Sequence, residues 1–126
     1  MCYILESEYT NAEIKVIWLE ERERKLYKLQ ADLCQILTDP IRLELLHLIG
    51  KGERTVGELV EATNLRQARV SQHLAVLRQR SIVNTRRVGT AVHYTLAYPE
   101  ILDACAIVRR ILVRQLEDQH DLVASE

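Results

Sequence analysis

Residues 65–96 read LRQARVSQHLAVLRQRSIVNTRRVGTAVHYTL. In the first half, Val70, Leu74, Leu77 and Ile82 recur at helical steps, while Arg66, Gln67, Arg69, Gln72, His73, Arg78 and Gln79 spread over the other faces. From Val83 the period changes to alternation. VNTRRV at 83–88 and AVHYTL at 91–96 are rich in β-branched and aromatic types, with Gly89-Thr90 between them as a hairpin turn. The stretch therefore predicts a helix running straight into a two-stranded ribbon. It also holds six arginines (Arg66, Arg69, Arg78, Arg80, Arg86 and Arg87) and no Asp or Glu. The chain has 17 basic and 18 acidic residues, so this segment is plus six while everything else is minus seven. Such segregation marks a surface for a polyanion.

Upstream, Thr55 with Glu58 forms a capping box that opens a helix through Val56, Leu59, Val60 and Ala62 and closes it at Asn64, a residue that tolerates left-handed backbone. Two helices joined by a tight turn, the second rich in Arg and Gln, predict a helix-turn-helix over 55–82 with a β-wing over 83–96. Before it, Asp39 can cap a helix whose first position is Pro40, with Leu43, Leu46, Leu48 and Ile49 as core and Gly50 and Gly52 as the stop. A second capping box, Thr10 with Glu13, starts a long helix striped by Ile14, Ile17, Trp18, Leu26, Leu29, Leu33, Ile36 and Leu37. Downstream, Pro99 opens a last helix whose stripe is Ile101, Cys105, Val108, Leu112 and Leu116, widened by Ala104 and Ile111.

The expected fold is mainly α with a β-hairpin wing, a single winged helix-turn-helix domain over 1–126. Its lead-in and first long helix occupy 1–37 and its last helix 99–118. Both long helices carry more apolar surface than one small domain covers, so they are expected to form a dimer interface. The composition agrees: 48% apolar and 28% charged residues suit a globular, helix-rich chain rather than a disordered one. The apolar runs are too short for a membrane span, and the N-terminus lacks the pattern of a secretory leader, so a cytoplasmic protein with no membrane partner is expected. Three unclustered cysteines, Cys2, Cys34 and Cys105, argue against a disulfide framework.

Reading base edges in the major groove takes Arg for guanine, Gln or Asn for adenine, and Ser for either. Gln67, Arg69, Ser71, Gln72 and His73 supply that set at the start of the second motif helix, and Arg78 lies further along it. A solvated polar face is the plain alternative; the capped helix before it, the wing after it and the lack of acids weigh against that. Arg66 is a poor residue for a helix N-terminus in isolation but a useful one beside a phosphate. Arg86 and Arg87 on the hairpin would reach backbone phosphate or the minor groove.

The runs Asp39-Pro40-Ile41-Arg42-Leu43, Val56-Gly57-Glu58-Leu59 and Val70-Ser71-Gln72-His73-Leu74-Ala75-Val76-Leu77-Arg78, followed by Gly89 and Tyr94-Thr95-Leu96, resemble the ArsR/SmtB family of winged-helix repressors. The resemblance covers roughly residues 28–116. It implies a homodimer that binds a palindromic operator and releases it when an inducer is sensed. Two departures stand out: Arg66 where the family usually has Ser, and Ser81 where it usually has Gly. The second puts a side chain at a position favouring left-handed backbone.

The inducer is not legible. Positions matching the family's zinc ligands on the last helix are Tyr98, Glu100, Ile111 and Arg114; those matching its Cys-x-Cys soft-metal site are Thr55 and Gly57; those matching its sensing thiols are His47 and about Val113. None rebuilds the site. Cys34 and Cys105 remain as candidate sensing thiols, either as a redox pair or, with Cys2, as a soft-metal or arsenite site, against the plain reading of small hydrophobes. His120, beside Glu117, Asp118 and Asp121, is either a tail metal ligand or part of a solvated terminus.

The reading is therefore a DNA-binding repressor released by thiol redox, a metal or metalloid, or a small ligand. The alternative is a winged-helix module that docks protein through its long first helix. An enzyme is not expected, because no nucleophile, base and orienting group form a constellation.

Overall fold

The computed structural model describes the backbone of residues 10–124 and the side chains through His120. The lead-in at 1–9, with Cys2, lies outside the described residues. The elements are α1 (Asn11–Cys34), a 3-10 turn (Gln35–Thr38), α2 (Pro40–Gly50), β1 (Arg54–Thr55), α3 (Val56–Thr63), α4 (Gln67–Gln79), β2 (Val83–Val88), β3 (Ala91–Leu96) and α5 (Ile101–Ala124). Among the described residues no helix is long and apolar enough to cross a membrane. The chain divides into two compact units at the Gln35–Ile36 junction.

The first unit contains α1. Its capping box forms as expected: Thr10 Oγ1 accepts from the amide of Glu13 at 3.3 Å, and the Glu13 carboxylate accepts from the amide of Thr10 at 2.7 Å. No residue of α1 is buried, and Val16, Trp18, Leu19, Leu26, Tyr27, Leu29 and Leu33 are all exposed. The helix stops at Cys34, short of the Thr38 break that its apolar stripe suggests. Ile36 and Leu37 fall in the 3-10 turn instead, with Ile36 buried in the second unit.

The second unit has one core, made of Ile36, Leu45, Leu46, Ile49, Leu59, Val70, Leu74, Leu77, Ile82 and Val83. Asp39 caps α2 through Oδ1, which accepts from the amides of Ile41 at 2.8 Å and Arg42 at 3.2 Å. Helical spacing then puts Arg42, Leu45, Leu46 and Ile49 on one row. Leu45 is fully buried, whereas Leu43, expected in the core, lies about a third of a turn away and is exposed. Leu48 is only half-buried. At the end of α2, a Cβ on Gly50 would collide with the Leu102 side chain, so the glycine lets the start of α5 pack close to α2.

The Thr55–Glu58 box caps α3, and Asn64 ends it in left-handed backbone at φ 57°. The wing strands run over the expected residues, paired from Val83↔Leu96 to Val88↔Ala91. Gly89 at φ 61° supplies the positive φ that a two-residue turn requires first. A third strand was not expected. β1 pairs with β3 through Arg54↔Tyr94 and Thr55↔His93, so β3 is central and the sheet order is β1-β3-β2. The last helix begins at Ile101, two residues after Pro99, and extends beyond residue 118 to Ala124.

Candidate nucleic-acid interface

Val70, Leu74 and Leu77, all fully buried, fix the rotation of α4. With the inner row set, helical spacing decides what points outward. Ala68, Gln72, Ala75 and Gln79 lie opposite the buried row. Arg69 sits on one flank, while Ser71, with Gln67 and Arg78 nearer the core, lies on the other. All of these residues are exposed. Ala68 and Ala75 carry no polar signal in the sequence, yet small side chains on the outer row let a helix approach a groove closely and give apolar contact for a thymine methyl.

His73 is turned elsewhere. Its side chain is only 16% exposed, and its Nε2 lies 4.0 Å from Oδ1 of Asp39, the atom that caps α2. It faces the α2 N-terminus, which links the attitude of α4 to that of α2. Burial of the Asp39 carboxyl works upward on its pKa but is outweighed by the amides of Arg42 and Ile41 and by the charges of His73 and Arg42, which hold it below the usual range.

Arg66 occupies the N-cap of α4 in extended backbone, φ −66° and ψ 141°, with no side-chain cap bond. Every other helix start with an assigned N-cap residue has an oxygen there: Thr10, Asp39 and Thr55. The α4 N-terminus thus presents uncapped amides together with a guanidinium, both of which favour an anion.

On the wing, Arg87 pairs across the ribbon with Val92 and is exposed. Arg86 pairs with His93, and its guanidinium is engaged within the protein. Nε donates to Glu53 Oε1 at 3.0 Å and Nη2 to Glu53 Oε2 at 2.9 Å, a two-pronged ion pair. His93 Nδ1 lies 3.8 Å from the same Oε1. The hydrogen bonds from Arg86 lead in holding the Glu53 carboxyl below its ordinary pKa, and Glu53 in turn raises that of Arg86. The pairing of Glu53 with Arg86 leaves no local sequence signal, because 33 residues separate the two.

The two described candidate thiols are free. Cys34 is exposed at the end of α1, and Cys105 is half-buried on α5, where burial pushes its thiol pKa up against the partial relief from Arg109. Among the described residues no group of three or more His, Cys, Asp or Glu side chains could hold a metal; the Asp121 side chain, part of the expected set with His120, lies outside the described residues. His47 is exposed on α2.

Residues 39–85, the span from the α2 cap to the middle of β2, match the family of arsR-type bacterial regulatory proteins. A helix-turn-helix transcriptional regulator of Mycobacterium tuberculosis is 39% identical over 95 residues, covering 75% of this chain and 83% of the relative. Its crystal structure superposes with a TM-score of 0.67 over 75% of this chain and 95% of that one. A biofilm growth-associated repressor of Agrobacterium fabrum is 38% identical over 93 residues, 74% of this chain and 76% of the repressor. The homodimeric winged helix-turn-helix DNA-binding domain of a Mycobacterium bovis protein, solved by NMR, gives a TM-score of 0.66 at 29% identity, covering 77% of this chain and 90% of that one. The α4 surface, the wing and these likenesses converge: the chain belongs to the ArsR family of bacterial regulatory proteins and is a winged helix-turn-helix, DNA-binding transcriptional regulator.

Proposed function

We propose that the protein is a homodimeric repressor that reads a palindromic operator with α4 and lets go on an inducing event. The observation that carries this is the outward surface of α4: Arg69, Ser71, Gln72 and Ala75 displayed on a helix locked from behind by three fully buried side chains. Gln72 and Arg69 offer paired contacts to adenine and guanine, and Gln67, Ser71 and Arg78 border them. Arg66 at the helix start and Arg87 on the wing supply phosphate contacts, which set affinity and register rather than sequence. His73 acts through Asp39, holding α4 in place.

Dimerisation is supported by α5. Past Leu102, which packs on the core, Ile107, Val108, Ile111, Leu112, Val113 and Leu116 are all exposed, an apolar face that a second copy would cover. Repression is supported by the Agrobacterium fabrum relative. For release by thiol chemistry, Cys34 is the better starting point, since it is exposed, whereas Cys105 is half-buried and burial pushes its thiol pKa up, away from the reactive thiolate.

The test is operator binding by fluorescence anisotropy across a salt series. Log affinity should fall with log salt. Arg69→Ala and Gln72→Ala should each cost about 1–3 kcal/mol on the operator and much less on unrelated DNA. DNA affinity that barely changes with salt, or that fails to drop when Arg69 and Gln72 become Ala, would instead favour a protein-docking module. Titrating the complex with oxidant, arsenite and zinc, with Cys34→Ser and Cys105→Ser alongside, identifies the inducing chemistry.

A further inference from the structure

We propose that Glu53 sets the DNA affinity of the wing by holding Arg86 off the phosphate backbone, so that Arg87 is the hairpin's working cation. The inference rests on the reading that the wing faces DNA.

Three observations carry it. The pair is bidentate, with bonds of 3.0 and 2.9 Å that use Nε and one terminal nitrogen, the edge with which an arginine would grip a phosphate. The partners also sit on paired backbone. Arg86 lies on β2 opposite His93, while Glu53 immediately precedes β1, whose Arg54 and Thr55 pair with Tyr94 and His93 on β3. One carboxylate therefore gathers side chains from β2 and β3 at the edge of the three-stranded sheet. Finally, Glu53 is the less exposed partner at 30%, and His93 Nδ1 lies 3.8 Å from its Oε1, so a second basic side chain faces the same carboxylate. The neighbouring cation Arg54 is directed to Glu58, with 3.7 Å between Nη1 and Oε2.

The physical consequence is a matter of net charge. For Arg86 to turn to a phosphate, it would exchange one charge-assisted pair for another and leave a bare carboxylate close to DNA. Kept together, Glu53 and Arg86 present no net charge. Their presence lowers the wing's grip below what its two adjacent arginines suggest and confines that grip to Arg87, on the opposite face of β2.

The experiment is a salt series of operator binding for the wild type, Glu53→Gln, Arg86→Gln and the double variant, with thermal melts confirming that each is folded. Glu53→Gln should bind several-fold more tightly, with a log–log salt slope steeper by about 0.9 from one added phosphate contact. The double variant should match the wild type in affinity and slope, because a neutral pair has been replaced by a neutral pair. If Arg86 reaches phosphate in the wild type, the double variant will bind more weakly, with a slope shallower by about 0.9, and the proposal falls. It also falls if Glu53→Gln leaves the slope unchanged, which is the signature of a merely structural effect. Should Glu53→Gln fail to fold, the double variant against the wild type decides alone. A wild type that binds DNA without salt dependence fails the functional reading instead, a separable outcome.

Discussion

At the residue scale, Arg66 sets the proposed DNA contact against stability, and Ser81 bears on stability alone. Arg66 sits where a helix wants an oxygen and makes no cap bond. Arg66→Ser should therefore stabilise the fold by about 0.5–1 kcal/mol through a new cap, while weakening operator binding and making its salt slope shallower by about 0.9. A melting curve and a binding series on the same variant should move in opposite senses. Ser81 has φ 60°, a left-handed conformation that disfavours any residue with a Cβ. Ser81→Gly is expected to raise stability by about 0.5–1 kcal/mol in chemical denaturation and to leave DNA affinity unchanged, since Ser81 follows α4 and precedes the wing without belonging to either. The Asp39 carboxyl titrates below its unfolded value, so its stabilising effect is complete above about pH 4 and is lost as pH falls through the folded pKa. Asp39→Asn should flatten the acid limb of a stability-versus-pH curve and lower stability at neutral pH.

At the element scale, what could be read from the chain was what is local in it. Capping boxes at Thr10 and Thr55, the Asp39-Pro40 start, the Asn64 stop and the Gly89-Thr90 turn all act over at most a few residues, and each appears where the pattern put it. The strand β1 escaped notice because two residues have no period, and its pairing is chosen by β3 some forty positions away. Leu45 and Leu43 changed places in the core for a related reason. In a helix crowded with leucines, periodicity alone allows several faces, and packing selects the one on which Arg42 can also bond back to the carbonyl of Ile36. The same limit hid Glu53 and turned His73 inward, since neither contact is visible in spacing. The last helix offers a direct check. Leu112→Asp puts a charge in the middle of the exposed α5 face and should raise the dimer dissociation constant roughly 30-fold or more in sedimentation equilibrium, about 2 kcal/mol, with the fold of the monomer retained.

At the scale of the whole molecule, the proposed function requires joining a rigid reading head to a second copy. The ten-residue core holds α4 and the wing together, with the acid-free segment on its surface and the Glu53 carboxylate bound to Arg86 beside it. Two such heads related by a dimer axis would match a palindrome whose half-sites lie about 34 Å, one helical turn, apart or a multiple of it. On the proposed reading, sequence preference would come from Arg69 and Gln72, affinity from Arg66 and Arg87, and regulation from whatever changes the spacing of the two heads. The most direct measurement is a hydroxyl-radical and methylation-interference footprint on the operator. The account predicts two major-groove patches of protection, symmetric about a dyad and a whole number of turns apart, with the signal lost when Gln72 and Arg69 are replaced by Ala. A single unpaired patch, or two patches that persist in that variant, would contradict it.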